Sequence, residues 1–138
     1  MKKIIIPSIV ALLLVFAVGG YALVQSMFPM AEPITYPNEG DITSLSLMEA
    51  SNSIGAIELS DFSTVLEYLR NTEPTRKWSI QDYPAAENYY TIEIKTPERH
   101  KRYFVYAENA EVYIESPYEG VYEADPQVMT FVSSYFEN

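Results

Sequence analysis

Five glutamates recur through the C-terminal third of the chain, and carboxylates spaced in this way could form an acid–base pair or bind calcium. They are Glu108, Glu111, Glu115, Glu119 and Glu123. A calcium loop places its oxygen ligands around an interrupting Gly, a pattern that is missing here. A glycosidase needs two carboxylates that face one bond, which scattered residues do not establish. We therefore expect solvated glutamates at strand edges, where charge also prevents pairing between sheets.

The other residues that could carry catalysis are equally few. His100 is the only histidine and lies in the basic run Arg99-His100-Lys101-Arg102, which offers no acid to orient its ring. The chain has no Cys, no Gly-x-Ser-x-Gly motif and no Gly-rich phosphate loop. We therefore predict a non-enzyme with no catalytic residue, no cofactor and no metal site. Arg99 and Arg102 remain as a candidate interaction surface, with a solvated turn as the simpler alternative.

Tyrosine is the unusual component, with 12 residues in the chain. Packing across strands explains most of them, but alternation along a strand sends Tyr103 to one face and Tyr106 to the other. Helices on one side of a sheet cannot cover both faces. An exposed aromatic face suits a protein, peptide or glycan, because each ring combines flat apolar area with a hydroxyl. The predicted binding surface comprises Tyr106, Tyr113, Tyr118, Tyr122, Arg99 and Arg102.

An apolar run near the N-terminus indicates the cellular location of the protein. Lys2 and Lys3 precede 21 uncharged residues, Ile4 to Val24, which as a helix reach about 31 Å, close to the hydrocarbon thickness of a bilayer. The lysines favour a cytoplasmic N-terminus, which places the rest of a single-pass protein outside the cell membrane. Small residues at Gly20 and Ala22 keep the alternative open, a cleaved signal peptide and a secreted product.

The remainder is predicted to hold a short linker and one domain. Residues 25–138 contain 7 Lys and Arg against 19 Asp and Glu, a net charge of −12 that argues against binding nucleic acid or anionic lipid. Prolines at 29, 33 and 37 predict a semi-extended stalk. The predicted organisation is therefore residues 1–24 as anchor or signal, 25–40 as stalk and 41–138 as an extracytoplasmic domain.

Hydrophobic periodicity in this domain predicts an α+β fold. Strands are predicted at residues 42–48 and 56–59 with a turn at Ser51-Asn52-Ser53, then a helix capped at Ser60 or Asp61. Strands follow at 89–95, 103–106, 112–115 and 121–123, with a closing helix after Asp125-Pro126. Trp78 and Ile80 are compatible with one more strand. The expected order is β-β-α-β-β-β-β-α, an antiparallel sheet with the helices on one face and the other face partly open.

Two segments carry a resemblance to a known group of domains. They are Trp78-Ser79-Ile80-Gln81-Asp82-Tyr83-Pro84 and the string Tyr-Ile-Glu-x-Pro-Tyr-x-Gly-x-Tyr, which runs from Tyr113 to Tyr122. With the apolar leader, they resemble a small extracytoplasmic domain family of unknown function from Gram-positive bacteria, over residues 42–138. The resemblance implies a fold and a compartment, and no activity, cofactor or catalytic residue.

Two classes of function remain. The first is a membrane-tethered or secreted non-catalytic domain that binds an extracytoplasmic protein, a peptide or a cell-envelope component. The alternative is a hydrolase of envelope polymers that uses a pair of glutamates. Two carboxylates that converge in one concave pocket favour the hydrolase, whereas dispersed acids around an aromatic patch favour binding.

Overall fold

The chain divides after Met30 into two units in a computed structural model, which describes residues 2–50 and 56–137, with side chains from residue 7 onward. The first unit contains helix α1 (Lys2–Met27). Within the described residues, Pro7–Met27 is the one helix that is long and apolar enough to cross a membrane, with a mean hydropathy of 2.2. The predicted N-terminal apolar helix is therefore confirmed, and it is compatible with an anchor or a signal sequence.

The second unit is the predicted α+β domain, built on an open antiparallel sheet of seven strands. The strands are β1 (Ser44–Glu49), β2 (Ile57–Leu59), β3 (Glu73–Pro74), β4 (Tyr90–Lys95), β5 (His100–Glu108), β6 (Glu111–Ser116) and β7 (Gly120–Glu123). Their order across the sheet is β2-β1-β4-β5-β6-β7-β3. The helices are α2 (Phe62–Arg70), α3 (Gln127–Ser133) and a 3-10 turn (Glu39–Asp41). The turn predicted at Ser51-Asn52-Ser53 lies outside the described residues.

Both helices contribute to one hydrophobic core on the first face of the sheet. Asp61 caps α2, because its carboxylate accepts a hydrogen bond from the Thr64 N–H at 3.1 Å. The strands send alternate side chains to this face. The buried contributors from helices and strands are Val65, Leu66, Leu69, Val128, Val132, Leu45, Leu47, Ile92, Ile94, Tyr103, Val105, Val112, Ile114 and Tyr122. The placement of the helices on one face is thus confirmed.

The second face of the sheet, which was expected to be partly open, is largely covered at its centre. Residues 76–89, named here the covering segment, have no regular secondary structure and run over β5 and β6. Tyr83 and Tyr89 pack on Phe104, with ring centroids 5.9 and 5.4 Å apart. Phe104 is 1% exposed and Tyr106 6%. An irregular segment therefore covers the aromatic face that the helices leave uncovered.

The strand suggested at Trp78 and Ile80 was wrong, and a two-residue strand, β3, forms earlier instead. On its outer edge, β7 pairs with this short strand through two residue pairs, Glu73 with Glu123 and Pro74 with Tyr122. At the next residue, the Thr75 hydroxyl donates to the Val121 carbonyl at 2.6 Å and accepts from the Lys77 N–H at 3.1 Å. These bonds turn the chain off the sheet edge and onto its second face.

The predicted stalk is also corrected, because the chain joins the domain at Ala31 rather than after residue 40. The Ala31 N–H donates to the Thr75 carbonyl at 3.0 Å, and Ile34 is buried in the core. Gly120 permits this approach, since a Cβ at that position would lie 2.5 Å from the Ala31 Cβ. Proline spacing indicated an extended chain, and did not reveal that residues 31–36 pack against the domain.

A stability prediction follows from the β5–β6 hairpin. Its two loop residues, Asn109 and Ala110, have φ of 53° and 67°, the pattern of a type I′ turn. Because a Cβ disfavours left-handed backbone, Ala110→Gly should raise the free energy of unfolding by roughly 0.5–1 kcal/mol. Urea denaturation of the full-length chain measures this. Ala107→Gly, in the strand itself, should be destabilising, and a lower midpoint for Ala110→Gly would contradict the assignment.

Candidate ligand-binding site

A polar pocket of about 400 Å³ lies on the second face of the sheet. Three elements build it: the start of β5, the covering segment and the turn between β6 and β7. Its lining residues are Asp82, Tyr83, His100, Lys101, Arg102, Ser116 and Pro117. The pocket therefore gathers most of the basic run of this acidic chain.

The three basic residues of the pocket differ in their acidic partners. Lys101 Nζ lies 2.8 Å from Glu119 Oε1. Burial raises the pKa of Glu119, but hydrogen bonds from Lys101 and Ser116 outweigh it and leave the pKa below its ordinary value. The Arg102 side chain is exposed, and among the described residues no carboxylate lies within 4.0 Å of its guanidinium. Arg102 is thus the cation best placed to bind an external anion.

His100 has an acidic partner that sequence reasoning missed. Its Nε2 lies 2.8 Å from Glu93 Oε1, a residue of the neighbouring strand β4. Burial raises the pKa of Glu93, but the hydrogen bond from Lys95 and the electrostatic interactions with His100 and Lys95 lower it below its ordinary value overall. The partner comes from another strand, so the basic run alone could not indicate it.

Tyr118 stands beside the pocket in an unusual backbone conformation. The Glu119 N–H donates to the Ser116 carbonyl at 3.0 Å and closes a turn with Pro117 at its second position. Tyr118 occupies the third position with φ of 63°, where a type II turn normally places Gly. Its ring is 67% exposed, and its hydroxyl donates to Asp82 Oδ1 at 2.7 Å, which raises the pKa of Tyr118. The turn therefore presents a bulky ring next to the Asp82 side of the pocket.

The other predicted surface residues lie elsewhere. Tyr106 is buried beneath the covering segment, and Tyr122 is buried on the first face, where its hydroxyl donates to the Glu32 carbonyl at 2.8 Å. Burial of Tyr122 and the negative charges of Glu119 and Glu32 raise its pKa to about 12. Tyr113 is half-buried under the Lys77 ammonium, 3.9 Å from the ring centroid. Arg99 lines a separate depression of about 80 Å³.

Of the six predicted surface residues, the structure therefore brings Arg102 and Tyr118 to one site. Sequence reasoning missed Asp82 and Tyr83, which complete it. The available signal is the pair Asp82-Tyr83 before Pro84, a combination that is typical of a turn and does not by itself indicate a site.

Glu115 also departs from the expectation of solvated glutamates. It is 6% exposed, and its carboxylate accepts hydrogen bonds from the Ser79 hydroxyl at 2.6 Å and the Tyr106 hydroxyl at 3.3 Å. Strand alternation places Glu115 on the second face, and the covering segment then excludes water from it. The carboxylate thus ties the covering segment to β6.

A second depression, of about 190 Å³, lies next to this carboxylate. Glu108 and Glu115 both line it, together with Tyr106 and Lys77. Glu108 forms an ion pair with Lys77. Within the part of the chain that the structure describes, no group of three His, Asp or Glu side chains could hold a metal ion.

Comparison with known proteins places the domain in a family. Residues 30–123 match the model of family DUF5301, described as a domain of unknown function (DUF5300). The chain belongs to this family. The matched range starts one residue before Ala31 and ends with β7, so the DUF5301 match contains the whole covering segment and every residue that lines the pocket.

A solved structure has the same fold as the DUF5301 domain. It is described as an NMR structure of the protein from Ruminococcus gnavus, with 36% sequence identity and a TM-score of 0.54. The alignment covers 65% of this chain and 89% of the other. No curated protein matches the chain.

The position of the covering segment should depend on the buried carboxylate. Glu115→Ala leaves the Ser79 and Tyr106 hydroxyls without their acceptor, at a cost of about 1–3 kcal/mol. Hydrogen exchange of residues 76–89 should then accelerate relative to the strands. Glu115→Gln retains an acceptor oxygen and should show a smaller change. Glu111→Ala, an exposed site in the same strand, is the matched control, and equal exchange in all variants would disprove this role.

Proposed function

We propose that this chain is a non-catalytic binding domain that works outside the cell membrane, tethered by α1 or secreted after its cleavage. Its ligand is a protein, peptide or cell-envelope component with an anionic group that the Arg102 guanidinium binds. The observation that carries this proposal is Tyr118, an exposed aromatic residue held in left-handed backbone beside the pocket that Arg102 lines.

The conformation of Tyr118 supports a role other than stability. A residue with a Cβ is disfavoured at positive φ, and Gly or Asn fits such a position better. The ring is mostly exposed, so the fold gains little apolar burial from it. Strained residues of this kind cluster at functional sites, where the surrounding structure holds them in place. The turn therefore carries a ring that contributes little to the stability of the hydrophobic core.

The chemistry of the lining supports a peptide with a free carboxyl end as the ligand. Arg102 supplies a planar fork of N–H donors that matches a carboxylate, while Asp82 in the same pocket accepts from a ligand N–H. A peptide terminus offers both groups side by side. The exposed rings of Tyr83 and Tyr118 provide flat apolar area for the preceding residues of such a peptide. The peptide could belong to a protein or to the cell wall, since both present this chemistry.

The location is supported by composition and by the N-terminal helix. Pro7–Met27 passes the length and hydropathy requirements of a membrane span. The Lys2 and Lys3 pair favours a cytoplasmic N-terminus, which leaves the DUF5301 domain outside. The chain has no Cys, so the domain needs no disulfide in that compartment.

Envelope-polymer hydrolysis is the second candidate, because Glu108 and Glu115 line one depression. An acid–base pair needs carboxylates that can reach the substrate. Glu115 instead accepts hydrogen bonds from two buried partners, and Glu108 is paired with Lys77. These contacts favour structural roles for both carboxylates, so binding remains the proposal.

Replacing Arg102, which forms no ion pair within the described residues, should weaken binding specifically. Full-length chain in detergent micelles is titrated by NMR with a tripeptide library in free-carboxyl and amidated forms. Loss of a charge-assisted hydrogen bond predicts a Kd about 10–100-fold higher for Arg102→Gln, with loss of preference for the free carboxyl. Arg99→Gln, an equal charge change outside the pocket, should bind as the wild type does. Equal effects of both substitutions, or equal binding of amidated peptides, would refute the carboxylate site.

Tyr118→Gly separates stability from binding. Relief of the left-handed strain should leave the urea midpoint equal to or above that of the wild type, despite the lost hydrogen bond to Asp82. Loss of the exposed ring should weaken peptide binding roughly tenfold or more. Tyr135→Gly, in which a ring that packs on Phe131 is removed, should instead lower the midpoint. Unchanged affinity of Tyr118→Gly would exclude the ring from the site.

A further inference from the structure

The covering segment begins with a pattern that the proposed binding site does not use. Its first five residues, Arg76–Ile80, combine two cations with two exposed apolar side chains. Trp78 is 60% exposed and Ile80 66%, in a domain whose other large apolar side chains are mostly buried. Trp and Ile beside cations are typical of protein surfaces that enter the headgroup region of a bilayer.

Covalent length limits how far this segment can lie from the apolar helix. Helix α1 ends at Met27, and the Ala31 N–H donates to the Thr75 carbonyl at 3.0 Å. Four peptide units join Met27 to Ala31 and span at most about 14 Å. The domain holds this part of the chain by a second bond, from the Tyr122 hydroxyl to the Glu32 carbonyl at 2.8 Å. The covering segment starts right after Thr75, which is bonded to Ala31. Only four peptide units separate Ala31 from the last residue of α1.

We infer that Trp78 and Ile80 insert into the outer headgroup region of the same bilayer that α1 spans. The inference rests on the tethered form of the proposed function. Each headgroup region is roughly 5–8 Å thick, and the covalent connection through residues 28–31 is short enough to let the segment reach it. The ring of Trp78 suits this layer, because it combines a large apolar surface with one polar edge.

The lipid contact depends on apolar insertion rather than on charge. The region after residue 24 carries a net charge of −12, which disfavours anionic headgroups, and Lys77 is already paired with Glu108. Zwitterionic phosphatidylcholine therefore supplies the relevant surface. Removal of the two apolar side chains from water stabilises the contact. The covalent tether raises the effective concentration of the segment at the membrane surface.

The chain itself provides the probe, since Trp78 is its only tryptophan. Full-length protein is reconstituted into phosphatidylcholine nanodiscs with or without lipids brominated near the headgroup end of the acyl chains. Insertion predicts a blue-shifted emission and quenching of roughly half or more of the Trp78 fluorescence. Ile80→Ser should reduce this quenching, because it removes the neighbouring apolar contact.

A matched variant moves the probe to the opposite face of the domain. Trp78→Phe combined with Glu67→Trp places the tryptophan at an exposed position of α2, which packs on the first face of the sheet. This probe should emit at longer wavelength and show little quenching. Equal quenching of the two probes, or none at Trp78, overturns the inference.

The same preparation distinguishes this inference from the proposed function. Mass spectrometry of protein extracted from cell membranes shows whether α1 is retained. A cleaved chain overturns the lipid contact but leaves the Arg102 pocket to be tested on the secreted product. An intact chain with an unquenched Trp78 overturns the lipid contact and leaves the tether in place.

Discussion

The buried carboxylate of Glu115 is the contact on which the arrangement of the second face depends. The covering segment forms no ladder with the sheet, so side chains must hold it in place. Glu115 accepts from Ser79 in that segment and from Tyr106 in β5, and so joins three parts of the chain. A buried carboxylate is costly unless its oxygens are satisfied. The two hydroxyls meet this requirement, and the bond to Ser79 holds the segment three residues before Asp82 of the pocket.

Buried tyrosines perform the equivalent task for the N-terminal part of the domain. The Tyr103 hydroxyl donates to the Thr35 carbonyl at 2.7 Å, as the Tyr122 hydroxyl does to the carbonyl of Glu32. A tyrosine hydroxyl is protonated at neutral pH, and burial raises the pKa of Tyr103 further above that range. The rings contribute to the core while the hydroxyls bind irregular backbone. These two tyrosines thus attach residues 32–35, which lie outside the sheet, to the domain.

Periodic elements of this chain were predictable from the sequence, because their burial repeats with a fixed spacing. Asp61 and the stripe of Val65, Leu66 and Leu69 identify α2, and alternation identifies the central strands. Arg102 was predictable because it lies in a basic run of an acidic chain, and Tyr118 because tyrosine is unusually abundant. Glu115 could not be found in this way, since its burial depends on a segment with no period. The same applies to residues 31–36, where prolines indicate extension but not what the chain packs against.

The covering segment connects the two surfaces that the proposals concern. Ser79, held by Glu115, lies between Trp78 on one side and Asp82 three residues further along. A segment without ladder bonds moves at lower cost than a strand, so its few side-chain contacts determine its position. A lipid contact at Trp78 and a ligand at Asp82 would therefore both act on the covering segment, which Glu115 holds at Ser79 between them. A ligand that distinguishes two positions of an element shifts their populations, so the two proposed contacts would be coupled through Ser79 if they favoured different positions of the segment. The strength of that coupling would depend on how firmly Glu115 holds the segment between them.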